Sequence, residues 1–352
     1  MSLAPSAIDL LRRLIALPSF SREEAATAAC IADFLDAGGV AGVQRLGNNV
    51  WARNRHWDPA KPVILLNSHH DTVRPHAGWQ RDPFTPIQEG DRLYGLGSND
   101  AGGPLVSLAA TFLHFYDRAD LPYNLLLAAT AEEEVSGPGG IAALLPLLGD
   151  IALGIVGEPT QMQPAVAEKG LMVLDCTAVG RSGHAARDEG LNAIYEALPD
   201  IAWFRSYTFP QVSDLLGPVK MSVTQIEAGI QHNVVPDRCR FVVDVRTNEY
   251  YSNEAALSLI REQVRCEVQA RSLRLNSSRI DPDHPVVRRA VALGRVPYGS
   301  PTLSDQALMP FATLKIGPGD SARSHTADEY IGLEEIETGI GLYIDLLEGL
   351  QL

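Results

Sequence analysis

Five short stretches hold the residue types that could do chemistry. In "LLNSHHDTVRP", residues 65–75, an apolar run breaks into two histidines and an aspartate. Residues two apart in an extended chain point to the same side, so His69 and Asp71 share a side and His70 faces away. In a metal site His69 would bind the ion and Asp71 would fix its imidazole from behind; the alternative is a polar strand end with a hydrogen-bonded histidine. "YGLGSNDAGG" sets Asp100 among glycines just before a helix. Glycine lets the backbone turn tightly near whatever that carboxylate touches, although an aspartate there also suits an N-cap. "ATAEEEVSG" supplies Glu132, Glu133 and Glu134. Three adjacent carboxylates repel one another, which describes either a solvated acidic turn or a site where a divalent cation takes one carboxylate and a neighbour keeps a proton-transfer role. "GIVGEPT" ends a strand in Glu158, and "GPGDSARSHTADEY" puts His325 after a strand and a glycine-rich turn. Singly, these two read as a first loop residue and a surface-loop histidine.

Jointly they say more. Two imidazoles and several carboxylates, each at the end of a separate strand, can meet on one rim of a single sheet. That donor set suits a pair of zinc-like ions, with one carboxylate bridging and a further one acting as base. Such a pair polarises a carbonyl and acidifies a bridging water, which is the chemistry of amide hydrolysis.

The elements that must position these groups follow from periodicity and turn signals. Ile8, Leu11, Leu14 and Ile15 recur at helical spacing up to Pro18. Ser21 with Glu24 forms a capping box for a second helix, closed by Gly38 and Gly39. Strands are expected at 49–53, 62–67, 123–130 and 151–157, with helical stretches such as "GPLVSLAATFLHFY" and "GGIAALLPLL" between them. That alternation argues an α/β sheet with covered faces, whose ligands gather at the carboxyl ends of the strands. From residue 169 the texture changes to strand 171–179, helix 191–206, strands 219–228 and 238–247, helix 253–266 and strand 268–275. This β-α-β-β-α-β order is ferredoxin-like. The expectation is therefore an α/β domain of residues 1–168 and 281–352 into which a separate α+β domain, 169–280, is inserted.

Composition narrows the function classes. The chain has 352 residues, 45% hydrophobic and 20% charged, a globular composition long enough for two domains. A formal net charge of −14 and the lack of any Lys/Arg-rich run argue against nucleic acid and against an anionic membrane surface. No stretch is long and apolar enough to span a bilayer, and the N-terminal segment lacks signal-peptide character. Cys30, Cys176, Cys239 and Cys266 are widely spaced and fit a reducing cytoplasm. None lies beside the histidine and acidic motifs, so a metal here would have nitrogen and oxygen ligands.

These motifs, in this order, resemble those of the acetylornithine deacetylase/succinyl-diaminopimelate desuccinylase family of dinuclear-zinc amidohydrolases, which also contains aminoacylases, dipeptidases and zinc carboxypeptidases. The resemblance runs from the first helix to the last. It implies a zinc-peptidase-like α/β catalytic domain carrying an inserted lid and dimerisation domain, with two Zn2+ or Co2+ ions. It makes Asp100 the bridging ligand, although the family more often has Asp-Met/Thr-Lys-Gly there, and it makes Glu133 the general base and Glu134 a ligand. His69 and Glu158 would hold one ion, Glu134 and His325 the other. From "GRSGHAA" it implies that His184 reaches the partner's substrate across a homodimer and stabilises the oxyanion. From "GIQHNVVPDRCRFVVDVRTN" it implies that Asn233 and Arg246 bind the substrate carboxylate. "LPSFSREE", "LLNSHHDTVRP", "GWQRDPF", "LYGLGSNDAGG" and "PTLSDQALM" together are similar to the compact deacylases of arginine biosynthesis. The substrate so implied is an N-acyl amino acid, N-acetylornithine first, with N-succinylornithine, N-acetylcitrulline or a dipeptide as alternatives. A non-catalytic binding module on the same scaffold is the remaining alternative, and the presence of all five ligands and of Glu133 argues against it.

Overall fold

A computed structural model describes residues 3–187 and 189–352. The chain divides into two compact units. One comprises the chain up to Val166 with Ile280–Tyr298 and Ser304–Leu352; the other comprises Ala167–Arg279 and Gly299–Leu303.

The first unit is built on a mixed sheet. Its strands run, in spatial order, Gln44–Leu46, Asn49–Arg53, Asn124–Thr130, Val63–His69, Leu153–Val156 and Thr313–Lys315. The central four are parallel, with His69 opposite Thr130, Asn67 opposite Val156 and Lys315 opposite Val156. Strands Val63–His69, Asn124–Thr130 and Leu153–Val156 are buried along their whole length, which is why they read as continuous apolar runs rather than as alternation. Helix Gly103–Phe115 packs on the face that carries Ser68, with Leu108 close to it, and helices Leu3–Ile15 and Leu333–Leu347 pack against that helix. On the opposite face Ile141, Leu144 and Leu148 of helix Ile141–Leu148 join Leu65, Leu126 and Ala128 in one apolar cluster. Because the four strands are parallel, their carboxyl ends lie on one rim, and that is where the polar motifs emerge.

Two features depart from the sequence expectation. Helix Ala25–Ala37 starts after Glu24, and Ser21 does not cap it: the Ser21 hydroxyl donates to Asp71 Oδ2 at 2.7 Å instead. Glu24 is fully buried, and its carboxylate accepts from the backbone N–H of Arg22 and Glu132 and from the Asn48 amide. A long-range partner thus takes each side chain that a local box would have used. The second feature is a small antiparallel sheet of Ile87–Glu89, Arg92–Tyr94 and Tyr330–Gly332. Three-residue strands are too short to show a period.

The second unit has a four-stranded antiparallel sheet in the order Lys220–Ala228, Arg238–Arg246, Met172–Val179, Glu267–Ala270. Alternate residues Met172, Leu174, Cys176 and Ala178 meet Cys239, Phe241, Val243 and Val245, and both sets are covered by helices Ala193–Ser206 and Asn253–Gln263. Asn192 and Ser252 cap those helices, each accepting a backbone N–H. Among the described residues no helix is long and apolar enough to cross a membrane.

Candidate metal centre

His69 is the last residue of its strand and is 1% exposed. Its Nε2 lies 3.2 Å from Asp100 Oδ1, 3.8 Å from Glu158 Oε1 and 3.9 Å from Glu133 Oε2. Across the site His325 Nε2 lies 3.0 Å from Glu134 Oε2 and 3.6 Å from Asp100 Oδ2. Asp100 therefore turns one oxygen toward each imidazole. Donor atoms of His69, Asp100 and Glu134 all fall within 4.8 Å of one another.

The behaviour of the "SHHD" segment differs in detail from the expected one. His69 Nδ1 faces the backbone oxygen of Asp71 at 3.0 Å, closer than the Asp71 carboxylate at 3.5 Å. That carboxylate accepts chiefly from the backbone N–H of Glu133 (3.0 Å) and Glu134 (3.2 Å) and from Ser21. The chain leaves its strand at Thr130 and turns through Glu132, whose φ of 57° is left-handed, so these N–H groups have lost their ladder partners. Asp71 thus steadies the imidazole mainly through its main chain and steadies the Glu133–Glu134 turn through its side chain. His70 does face away, its Nδ1 at 2.9 Å from Thr27 Oγ1 and its Nε2 at 3.0 Å from Asn48 O.

The Asp100 turn needs its glycines. Gly97 has φ +73°, and a Cβ on Gly102 would run into the Gly97 carbonyl oxygen. Glu329, which sequence reasoning passed over, accepts the N–H groups of Gly97, Asn99 and Asp100. Asp305 was also missed as a site neighbour. It is buried, and it accepts from the Thr130 hydroxyl at 2.8 Å beside the strand ends that deliver His69 and Glu133. Glu329 lies in "SHTADEY" and Asp305 in "PTLSDQALM", but nothing in the type or spacing of either marks it.

Charge in this cluster is strained toward protonation. Burial, with Glu158, Asp305 and Glu134 nearby, pushes the Glu133 carboxyl well above its ordinary value against the pull of His69. Burial likewise raises Glu134 and pushes Glu158 up to about 8. Burial would hold His69 down, yet Asp100, Asp71, Glu133 and Glu158 raise it well above the usual imidazole value. The hydrogen bond to Glu134 raises His325 to about 9. Among the proposed ligands Asp100 stays low: burial works against its charge, but the two histidines favour it. Four ionised carboxylates here would carry four negative charges, which two divalent ions match, and the donors are nitrogen and oxygen as zinc-like ions accept.

Three further residues of the expected site lie in the second unit. His184 is exposed on a two-residue strand paired with Val234–Val235, and the Ala185 N–H donates to the Asn233 carbonyl at 3.0 Å. These two are neighbours. Arg246 is not with them: it ends strand Arg238–Arg246, eight residues beyond the end nearest Asn233, roughly 27 Å at about 3.4 Å per residue. Asn233 and Arg246 thus do not form one carboxylate-binding group within a chain. The Arg246 guanidinium is engaged with Asp244 at 2.8 and 3.1 Å.

The profile described as peptidase family M20/M25/M40 matches residues 65–349. An acetylornithine deacetylase of Proteus mirabilis (strain HI4320) is 28% identical, over 98% of this chain and 96% of its own. A succinyl-diaminopimelate desuccinylase of Stenotrophomonas maltophilia (strain K279a) is also 28% identical, over 97% and 98%. In fold, the chain matches a dinuclear metal-binding peptidase of the M20 family from Bacillus subtilis with a TM-score of 0.74 at 17% identity, covering 99% of each.

Proposed function

The chain belongs to peptidase family M20/M25/M40, a family of metal-dependent peptidases and amidohydrolases, and from that premise we propose that it is a two-metal deacylase of N-acyl amino acids. The proposed reaction is hydrolysis of N-acetylornithine to ornithine and acetate, in arginine biosynthesis. One observation carries the reading: Asp100 turns an oxygen toward each of two imidazoles, and each imidazole has a further carboxylate beside it.

In this proposal His69 and Glu158 hold one divalent ion, Glu134 and His325 the other, and Asp100 serves both. When bound, two such ions, zinc or cobalt, would polarise the scissile carbonyl and lower the pKa of a water between them. Of the three acidic side chains that face His69 Nε2, Asp100, Glu158 and Glu133, the last is the one left without a ligand role. Its raised proton affinity suits a group that takes a proton from the attacking water and hands it to the departing amine nitrogen. Asp71 keeps Glu133 in place through its N–H. Arg246 would exchange Asp244 for the substrate α-carboxylate, a group its planar fork fits.

His184 and Asn233 are assigned to the site of a second copy. Their distance from Arg246 along the second unit exceeds the length of an N-acyl amino acid, so a substrate held by Arg246 would meet His184 only from another chain. A homodimer also suits the second unit's surface. Strand Lys220–Ala228 is a sheet edge with Ile226 exposed, and helix Ala193–Ser206 exposes Tyr195 and Leu198.

An N-succinyl substrate is the second reading, favoured by the equal identity to a desuccinylase. The test is metal removal by chelation followed by zinc or cobalt, with kcat/KM measured on N-acetylornithine, N-succinylornithine, N-acetylcitrulline and a set of dipeptides. Activity should vanish and return with metal, and N-acetylornithine should lead. A dipeptide that leads the panel would refute the deacylase reading.

A further inference from the structure

We propose that Glu329 is a positioning residue of the metal centre, a carboxylate clamp that sets the Asp100 turn against the loop carrying His325. The inference rests on the two-metal reading above. Glu329 is 2% exposed and both of its oxygens are used. Oε1 accepts from the N–H of Asn99 at 2.8 Å and of Asp100 at 2.9 Å, and Oε2 accepts from Gly97 at 3.0 Å. Its backbone oxygen accepts from Gly95 at 3.0 Å. Four N–H groups of the turn, those of Gly95, Gly97, Asn99 and Asp100, therefore converge on a single residue four positions beyond His325.

The turn needs such a partner. Gly97 is left-handed, and Asp100 and Ala101 have φ/ψ of −116°/100° and −116°/35°, so no helix ladder takes the three N–H groups. A carboxylate offers enough lone pairs for all three, and three N–H donors are what make a buried carboxylate tolerable.

The clamp is itself braced. On one side Asp328 accepts from the N–H of Gln80 and Arg81. On the other, Tyr330 pairs with Tyr94 in the small sheet, and its ring lies under the guanidinium carbons of Arg92 and Arg323 at 4.5 and 4.6 Å. A second tie joins the same two loops, because the Asn99 amide and the Asp320 backbone exchange hydrogen bonds of 3.0 and 2.9 Å. With the clamp in place, the separation of Asp100 Oδ2 and His325 Nε2 is set by chain connections rather than by the ion. Loss of the clamp should therefore weaken the ion shared by Asp100, Glu134 and His325 more than the ion at His69.

The experiment is cobalt titration of metal-free Glu329→Gln, followed by calorimetry and by the visible spectrum. Glutamine keeps the shape but turns an amide NH2 toward a backbone N–H. The wild-type protein should take two ions. The variant should take one as the wild type does and the other roughly 10- to 100-fold more weakly. At limiting cobalt kcat should fall with KM little changed, and excess cobalt should restore it. Two ions bound as in the wild type, or both weakened alike, or a loss that saturating cobalt does not repair, would each overturn the clamp. If Glu329→Gln does not fold, Glu329→Asp, which keeps the charge and withdraws it by one methylene, should show the same split. Failure of both to fold would make Glu329 a residue of the fold and overturn the proposal. Fewer than two ions on the wild-type protein would overturn the two-metal reading and the clamp together, whereas two on the wild type with an unchanged variant overturns the clamp alone.

Discussion

Glu133 and Glu134 are neighbours in the chain and yet face different partners. Glu134 reaches His325 at 3.0 Å, while Glu133 stands 3.9 Å from His69 and makes no closer ion pair. The difference comes from the tight turn that follows Glu132, which swings successive side chains apart, and from Asp71, which holds both N–H groups. If the roles divide as proposed, Glu133→Gln should keep both ions and lose turnover by about 10²-fold or more, since it removes a base without touching a ligand. Metal analysis of that variant decides the point. A missing ion would mean that Glu133 is the ligand and that the two roles are exchanged.

At the scale of elements, the site depends on where strands stop and on what catches the chain afterwards. Each of the turns bearing Asp100, Glu133 and Glu134 has backbone N–H groups that no ladder satisfies, and each is caught by a buried carboxylate from elsewhere: Glu329 for the first, Asp71 and Glu24 for the second. Glu24 is the clearest test of this arrangement, because it touches no expected ligand. Its carboxylate joins the start of helix Ala25–Ala37, the Asn48 turn and the Glu132 turn. Glu24→Ala would leave three donors without that partner. Unfolding of the metal-free protein should be easier by at least about 2 kcal/mol, read as a lower thermal midpoint. A midpoint equal to the wild type would show that water or a local shift replaces the carboxylate.

The whole molecule enters through His184. It lies on the two-stranded ribbon with Val234–Val235, whereas Arg246 ends strand Arg238–Arg246 of the four-stranded sheet, so in the proposed reading the site draws on two chains. His184→Ala and Glu133→Ala should each be nearly inactive. In a mixed dimer the His184→Ala chain keeps its own Glu133 and receives an intact His184 from its partner. One site is then whole and the other lacks both groups. Random re-association of equal amounts makes half of the dimers mixed, so about a quarter of wild-type activity should return. A mixture that stays inactive after subunit exchange has been demonstrated would confine His184 to its own chain or remove it from the reaction.

What could be read from the residues alone was what local physics determines. Buried parallel strands announce themselves as apolar runs, so strands near 49–53, 62–67, 123–130 and 151–157 were legible, as was the β-α-β-β-α-β order that follows. The polar breaks after the three parallel runs, 62–67, 123–130 and 151–157, pointed to His69, to Glu133 and Glu134, and to Glu158, because parallel strands end on the same rim. What could not be read was set by contacts between residues far apart in the chain. Ser21 and Glu24 satisfy a helix-capping pattern, and only the packed molecule shows Asp71 and the Glu132 turn claiming them. Glu329 and Asp305 look like any surface acid until the fold buries them against N–H and O–H donors on other segments. The separation of Asn233 from Arg246 likewise belongs to the tertiary structure. Thirteen residues of sequence do not say that nine of them run as one extended strand, and the length of that strand keeps the two side chains apart.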